Sequence, residues 1–287
     1  MIFSNWFSPS KTGHQLNSKT IYEDLYPEIV KRLDQNETVS QIIEWLKQEA
    51  TNAYSLRTGK TPTIGSLNNS AGRWNQFIAV SLLCEIAIDI YKSQGKCVAV
   101  FSIENSSIAA NHNNRISSSF LRLFDPTEFS YGNSLNYIEK FKYKIFFPSP
   151  DYIIAVIENT NLIPDVFSLL KKQSQDPGNL GLYLLLKEKL KAKEIKAVVS
   201  LKTSNRPDRR YQPSYEAAMI KAIGYRTKHN WKYYMVASEL SKADKRLFDT
   251  AISPHGIALG INSNLVDGVY LYERKSDLFN LMNDALQ

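Results

Sequence analysis

The first third of the chain has apolar positions at helical spacing. Ile21, Leu25, Ile29 and Leu33 recur every four residues, which predicts an amphipathic helix over residues 20–33. An apolar stripe of this kind usually faces a protein core, so this region is expected to form a helical layer.

A second helix and a long third helix are predicted further along this region. Thr38 or Ser40 is the expected cap of the second helix, because a side-chain oxygen there can accept from an unpaired backbone N–H. Residues 55–72 are rich in Gly, Ser, Thr and Asn and are predicted to form a loop. Residues 73–91 predict a buried helix, and since charged residues such as Glu85 interrupt its apolar run, no segment is expected to cross a membrane.

Strand patterns begin after residue 95. Runs rich in β-branched and aromatic residues predict strands over residues 97–103, 152–157, 197–201, 233–237 and 269–272. The second and third of these are continuous apolar runs, which is typical of central strands covered on both faces. Helical patterns lie between the strands, over residues 163–172, 180–193, 215–225 and 243–252. This alternation predicts an α/β fold with a helical N-terminal layer, and no linker divides the chain.

The composition is that of a globular protein, and the charge is concentrated in one block. The 287 residues are 43% hydrophobic with a net charge of +7, which excludes collagen-like and disordered chains. Residues 187–232 contain 13 Lys+Arg and 4 Asp+Glu, a net charge of +9, so the rest of the chain sums to −2. A basic block in a nearly neutral chain favours a polyanionic partner.

Several classes of site are not expected. Cys84 and Cys97 are too few for a disulfide framework or a zinc site and are predicted to be reduced core thiols. Residues 58–61 imitate the end of a P-loop, but Tyr54 stands where that motif needs glycine, so no nucleotide cofactor is expected. The first residues lack the features of an export signal, and a cytoplasmic location is expected.

Three charged residues occupy positions that the predicted sheet can bring together. Asp151 directly precedes a buried strand, Lys202 ends another, and Glu216 lies early in the following helix. Ile220 and Ile223 follow Glu216 by four and seven residues, so its carboxylate is predicted on the core-facing stripe. A buried carboxylate requires a cation, a hydrogen-bond network or a proton.

Each of these residues also has an ordinary structural explanation. Glu216 can belong to a buried ion pair, Asp151 to a Pro-Asp turn, and Lys202 can extend from a strand end into solvent. Taken together, however, an Asp and a Glu can hold a hard divalent cation while a lysine acts on the attacking water. The combination indicates hydrolysis of a phosphodiester.

The loop between the lysine and the glutamate contains side chains suited to reading DNA. Arginine pairs with guanine O6 and N7 and aspartate accepts from the cytosine amino group, so Arg206, Asp208 and Arg209 predict contacts with adjacent G·C pairs. Pro207 and Pro213 are expected to exclude helix for the residues just before them. A solvated charged loop is the alternative interpretation.

These residues resemble the PD-(D/E)XK type II restriction endonucleases that recognise sites with a CCGG core, the Cfr10I/Bse634I/NgoMIV group. Asp151 precedes Lys202 by 51 positions, and Glu216 follows Lys202 by 14, similar to the variant pattern of this group. The resemblance is strong over residues 148–224. The matching residues are Asp151, Lys202, Arg206, Asp208, Arg209 and Glu216.

The resemblance implies a fold and a set of partners. The expected fold is an α/β restriction-endonuclease-like core, with a mixed central sheet flanked by helices and a helical N-terminal layer. Residues 1–287 would form one nuclease domain, with the helical layer at 1–95 and the catalytic core at 96–287. The implied partner is double-stranded DNA, which the chain would bind as a homodimer or as a homotetramer, because a two-fold dimer matches a palindromic site.

The resemblance also implies roles for individual residues. Asp151 and Glu216 would ligate Mg²⁺ together with the Leu201 carbonyl, and Lys202 would position or polarise the attacking water. Ser200 occupies the position of the second acid in more typical enzymes of this type. The residues that match the readers of the CCGG core are Arg206, Asp208 and Arg209.

One residue departs from the family pattern. Gln76 occupies the register of a further glutamate on the long N-terminal helix, and an amide adds no charge. A second metal position is therefore in doubt, and Gln76 and Arg210 are assigned only supporting roles. Two alternatives stay open: a catalytically weak or inactive sequence-specific DNA-binding protein of the same fold, and a nuclease that acts on damaged or branched DNA.

Overall fold

The computed structural model describes residues 5–10, 13–104, 118–145, 150–204 and 211–287. An antiparallel hairpin, which the sequence did not predict, precedes a layer of long helices. All three helices predicted in this part of the chain are confirmed. The elements of this part are β1 (Phe7–Ser10), β2 (Gly13–Leu16), α1 (Ser18–Asp34), α2 (Val39–Thr58) and α3 (Ile64–Gln94).

The boundary between α2 and α3 differs from the prediction. The predicted loop at 55–72 is wrong, because only residues 59–63 separate the two helices. Gly59 ends α2 with a φ of 67°, a left-handed conformation that glycine adopts without steric cost. Thr63 then caps α3 by accepting a backbone N–H of its first turn, and Thr38, one of the two predicted candidates, caps α2. The polar residues that favoured a loop therefore lie on the first turns of α3.

The long helix α3 is part of the protein core. By length and composition alone it could cross a membrane, with a mean hydropathy of 1.2 over its most apolar window. However, 67% of that window is buried inside the protein. The apolar character of α3 is thus explained by packing against the rest of the fold.

Within the described residues, five strands form one mixed sheet in chain order. The first three pair antiparallel, and the last three pair parallel. Each lies within a few residues of a predicted strand, and the two central apolar runs are buried as expected. The strands are β3 (Val98–Phe101), β4 (Tyr152–Val156), β5 (Ile195–Ser204), β6 (Lys232–Glu239) and β7 (Gly268–Leu271).

Helices flank this sheet, and one of them is shorter than predicted. The helix expected over 180–193 ends at Leu186, because Glu188 adopts a φ of 60° and Leu190 pairs with Phe124. This pairing between distant segments overrides the local helical pattern. Two helices near the C-terminus, over residues 254–259 and 275–286, were not predicted. The helices are α4 (Ile163–Gln175), α5 (Gly181–Leu186), α6 (Tyr211–Arg226), α7 (Lys242–Thr250), α8 (Pro254–Leu259) and α9 (Lys275–Leu286).

Pro213 lies inside the first turn of α6. The expectation that this proline excludes helix at Gln212 is therefore wrong. The backbone N–H that proline lacks would have no partner within the first turn of a helix, so proline is tolerated there.

Candidate active site

Asp151 lies where the pairing of β4 with β5 ends. The last paired residues are Tyr152 and Val199, and beyond them the Leu201 N–H donates to Asp151 Oδ2 over 2.7 Å. A side-chain oxygen therefore satisfies a backbone donor of β5 beyond the last β4 pair. This contact holds the Asp151 carboxylate against the carboxyl end of β5.

Lys202 and Ser200 lie two residues apart on the same face of β5. Lys202 Nζ is 3.2 Å from Asp151 Oδ2, and the Ser200 hydroxyl is 3.5 Å from the same oxygen. The side chains of Lys202 and Asp151 are only 16% and 15% exposed. Lys202 therefore does not extend from the strand end into solvent, but forms an ion pair with Asp151.

Gln76 reaches the other oxygen of Asp151 from α3. Its Nε2 donates to Asp151 Oδ1 over 2.8 Å, and the Tyr152 hydroxyl donates to its backbone carbonyl over 2.7 Å. Tyr152 thereby holds α3 against the sheet at this point. The Gln76 side chain contacts the site directly, but it brings a neutral donor where a glutamate would bring a negative charge.

Glu216 enters the site from α6. Its side chain is 1% exposed and lies on the same buried stripe as Ile220 and Ile223, as the sequence predicted. The Tyr233 hydroxyl donates to Glu216 Oε2 over 2.9 Å, and Gln212 Nε2 donates to Oε1 over 3.3 Å. The buried carboxylate is thus held by a hydrogen-bond network.

The electrostatics of Glu216 connect it to the other charged residues. Burial raises the pKa of Glu216 to about 7. The hydrogen bond from Tyr233 and the positive charge of Lys202 oppose this rise, whereas the negative charge of Asp151 adds to it. The structure therefore places Asp151, Lys202 and Glu216 close enough to interact, although they are distant in sequence.

Helices α3 and α6 approach the site from opposite faces of the sheet. Tyr152 contacts α3 and is paired with Val199, whereas Tyr233 contacts α6 and is paired with Val198. Successive residues of a strand point to opposite faces. The site is therefore assembled from both sides, at the carboxyl end of β5.

Tyr233 is a site residue that the sequence did not reveal. It belongs to the apolar run predicted as a strand, and it is completely buried. A buried tyrosine hydroxyl requires a hydrogen-bond partner, which is the one available signal in the sequence. The contact between Tyr233 and its partner, Glu216, depends on the register of β6 against β5 and on the position of α6.

The donors at this site fit a hard divalent cation. Asp151 and Glu216 provide carboxylate oxygens, and the Leu201 carbonyl belongs to the same strand end. Within the described ranges, no group of three His, Cys, Asp or Glu side chains is placed to hold a metal. Mg²⁺ sites in nucleic-acid enzymes often use one or two carboxylates and complete the shell with waters and phosphate oxygens. Two carboxylates are therefore a sufficient protein contribution.

The predicted base-reading residues lie outside the described residues. Arg206, Asp208, Arg209 and Arg210 belong to the segment between the end of β5 and the start of α6. Both β5, which precedes this segment, and α6, which follows it, contribute side chains to the site. The segment therefore begins and ends next to the site in the chain.

Part of the basic block is remote from the site. Residues 187–196 precede β5 or lie at its start, whereas Lys202 lies near its end. A strand rises about 3.3 Å per residue, so Lys196 is about 20 Å from Lys202 along the strand. The local excess of positive charge is therefore divided between the two ends of the sheet.

Comparisons with known proteins bear on this arrangement. A family model described as Cfr10I/Bse634I restriction endonuclease matches residues 4–287. The solved structure of Bse634I restriction endonuclease superimposes with a TM-score of 0.74 at 17% identity, covering 100% of this chain and 99% of that chain. The crystal structure of Type IIF restriction endonuclease Bse634I with cognate DNA gives 0.75 at 18% identity, with the same coverage. No curated protein matches the sequence.

Proposed function

The chain belongs to the Cfr10I/Bse634I restriction endonuclease family, a family of type II site-specific deoxyribonucleases, and we propose that it cleaves double-stranded DNA at a palindromic site with a CCGG core in the presence of Mg²⁺. The observation that carries this proposal is the approach of Lys202 Nζ to within 3.2 Å of Asp151, beside a buried glutamate from another element. We take residues 1–287 as one nuclease domain that acts in the cytoplasm as part of a restriction-modification system.

In this proposal the two carboxylates and a backbone carbonyl hold the cation. Asp151, Glu216 and the Leu201 carbonyl are the ligands. When bound, Mg²⁺ supplies a Lewis acid that lowers the pKa of water and offsets charge on the phosphate oxygens. The Leu201 N–H keeps the Asp151 carboxylate in place, since it donates to Oδ2 over 2.7 Å, and the Ser200 hydroxyl lies 3.5 Å from the same oxygen.

Lys202 has the task of positioning the attacking water. An ammonium group has three donors, and in the structure one of them is directed to Asp151. The other donors can hold a water oxygen or a non-bridging phosphate oxygen. Because the Lys202 side chain is largely buried, its charge acts at short range with little screening by solvent.

The proposed recognition uses the segment that joins the two site elements. Arg206, Asp208 and Arg209 would read the G·C pairs of the core, and Arg210 would support them. A homodimer presents two such segments to the two halves of a palindrome, and a homotetramer would be a pair of such dimers. The family match and the likeness to the structure of Bse634I with cognate DNA support double-stranded DNA as the partner.

The direct test is digestion of sequenced plasmids with the purified chain. We expect discrete fragments whose ends map to CCGG-containing sites, with Mg²⁺ or Mn²⁺ but not with EDTA. Plasmids without such a site are the control. Intact DNA after prolonged digestion of many sequences would contradict the proposal, and cuts at nicks or branches alone would indicate a structure-specific nuclease instead.

A second candidate function is sequence-specific binding without useful cleavage. The observation that favours it is the Gln76 amide on Asp151, where the family usually has a further carboxylate. A gel shift specific for one sequence, with no cleavage under any divalent ion, would support this alternative.

Arg206→Ala and Arg209→Ala are predicted to reduce discrimination between sites. Each bidentate contact to guanine contributes about 1–3 kcal/mol of discrimination. The affinity ratio for a CCGG duplex over a duplex with one substituted core base, measured in Ca²⁺, should therefore fall about 5- to 150-fold per variant. Lys189→Ala, on the remote basic segment, is the control and should leave this ratio unchanged. An unchanged ratio in both arginine variants would remove the base-reading assignment.

A further inference from the structure

Tyr233 contacts Glu216 on one oxygen only. Its hydroxyl donates to Oε2 over 2.9 Å, and both side chains are buried. The other oxygen, Oε1, accepts from Gln212 at 3.3 Å, and Gln212 is exposed on the first turn of α6. The two oxygens of Glu216 are therefore unequal, because Oε2 has a close, buried donor and Oε1 has a longer, exposed one.

The oxygens of Asp151 are unequal in the same way. Oδ2 receives the Leu201 N–H at 2.7 Å and Lys202 Nζ at 3.2 Å, and the Ser200 hydroxyl lies 3.5 Å from it. Among the residues that the structure describes, Oδ1 receives the Gln76 amide alone, at 2.8 Å. A carboxylate oxygen has about two acceptor positions, so Oδ2 is saturated and Oδ1 keeps one.

Ser200 connects the two carboxylates through Tyr233. Its hydroxyl lies 3.5 Å from Asp151 Oδ2 and also close enough to the Tyr233 hydroxyl to oppose the rise that burial causes in the pKa of Tyr233. A phenol and an alcohol each have a single proton: Tyr233 directs its proton to Glu216, and Ser200 can direct its own to Asp151 or to Tyr233, but not to both at once. The hydrogen bonds therefore define which oxygen of each carboxylate is occupied by the protein.

We propose that Tyr233 is a positioning residue, which occupies Glu216 Oε2 and leaves Oε1, together with Asp151 Oδ1, as the carboxylate oxygens for a divalent cation. This inference rests on the proposed metal-dependent cleavage. Tyr233 is uncharged and lies on a strand that carries none of the predicted site residues. In this proposal it nevertheless selects which oxygen of Glu216 binds the metal. Without that hydroxyl, Glu216 would be free to rotate and to use either oxygen.

The test compares two variants of neighbouring tyrosines on β6. Tyr233→Phe removes the hydroxyl that contacts Glu216, whereas Tyr234→Phe removes one from the opposite face of the same strand, where the ring packs on Tyr270. Binding of Mn²⁺ to the full chain is followed by the loss of the EPR signal of free Mn²⁺. Loss of a group that orients a metal ligand typically weakens metal affinity about 10- to 100-fold, and we expect this for Tyr233→Phe only.

Cleavage provides a second measurement that a purely structural role would not change in the same way. The Mg²⁺ concentration for half-maximal single-turnover cleavage should rise in Tyr233→Phe, while the rate at saturating Mg²⁺ changes much less. Gln212→Ala removes the donor on Oε1 and should leave Mn²⁺ affinity within about threefold of the wild-type value, a difference of about 0.7 kcal/mol.

These outcomes separate the inference from the proposed function. Unchanged Mn²⁺ affinity in Tyr233→Phe, or an equal loss in Gln212→Ala, would overturn the role of Tyr233 even if the enzyme cuts CCGG sites. Because Mn²⁺ binding is measured without DNA, it decides the role of Tyr233 even if the wild-type chain does not cleave. If Tyr233→Phe does not fold, a loss of about tenfold or more in Gln212→Ala would overturn the inference, and an affinity within about threefold of the wild-type value would support it.

Discussion

Replacing Asp151 by Asn is expected to reduce single-turnover cleavage of a CCGG duplex by at least about 1000-fold, since Asp151 is a proposed metal ligand and its loss would remove several kcal/mol of transition-state stabilisation. The substitution removes one charge while keeping the shape of the side chain. Its carbonyl oxygen can still accept from the Leu201 N–H, so the strand end should stay in place. The loss should therefore appear in the chemical step, measured with enzyme in excess over DNA.

Binding of DNA should survive this substitution. In Ca²⁺, the affinity of Asp151→Asn for the cognate duplex should lie within a few-fold of the wild-type value, because the proposed base readers are on another segment. Asp165→Asn is the matched control, since Asp165 is an exposed carboxylate in the first turn of α4. Wild-type cleavage by Asp151→Asn would show that the site has been assigned to the wrong carboxylate.

Replacing Glu216 by Gln is expected to change cleavage and stability in opposite directions. Cleavage should fall by at least about 1000-fold, for the same reason as at Asp151. The metal-free protein, by contrast, should become more stable at pH 8 by roughly 1–3 kcal/mol. The neutral side chain keeps the acceptor for Tyr233 and avoids the cost of burying a negative charge.

The pH dependence of this effect follows from the direction of the shift. The folded protein raises the pKa of Glu216 from 4.5 to about 7, so folding favours the protonated carboxyl. The stability that this proton provides is fully present below the pKa of Glu216 in the unfolded chain. It is lost as the pH rises through the pKa of Glu216 in the folded protein. Chemical unfolding in EDTA should therefore show the advantage of Glu216→Gln growing between pH 5 and pH 8.

A second buried glutamate provides the control. Glu194, just before β5, accepts the backbone N–H groups of Glu158 and Lys191 with its two oxygens. Glu194→Gln places an amide N–H₂ against one of these donors, so it should destabilise the protein by about 1–3 kcal/mol while cleavage stays normal. If Glu216→Gln also destabilised the protein at pH 8, the charged carboxylate of Glu216 would stabilise the folded protein, and its burial would not carry the expected net cost.

The contrast between these glutamates describes how the site is built. Glu194 is buried with a backbone N–H donor on each of its two oxygens and serves the fold. Glu216 is buried with the Tyr233 hydroxyl and one distant amide, beside a second carboxylate. Removing its charge is expected to help the fold and to end the reaction, which is the usual relation between stability and function at an active site.

The strands were predictable because a buried strand has a recognisable run of apolar residues in the sequence. The runs at 152–157 and 197–201 are apolar except for Ser200, and short runs of this kind are typical of strands covered on both faces. The boundaries of the helices were less predictable. Glu188 and Leu190 leave the helical path to reach Phe124, a contact that no local pattern contains. The hairpin at the N-terminus and the helix α9 were missed entirely.

The charged part of the site was predictable for a different reason. Asp151, Lys202 and Glu216 stand beside or within buried elements, where a charge has a cost that local packing does not explain. That cost is visible in the sequence because the neighbours of each residue are apolar. The contact between Gln76 and Asp151 could be expected only from the family resemblance, and the contact between Tyr233 and Glu216 could not be expected at all.

The sequence by itself predicted the α/β fold and the charged residues of the candidate site, because hydrophobic pattern and spacing can be read along the chain, and the family followed from a resemblance to known motifs. Only the tertiary structure decided which atoms meet. The end of the β4–β5 ladder directs Leu201 N–H and Lys202 to one oxygen of Asp151, and the register of β6 places Tyr233 on Glu216. Hydrogen bonds depend on distances of a few tenths of an ångström between segments that are far apart in the chain, and no local pattern contains those distances.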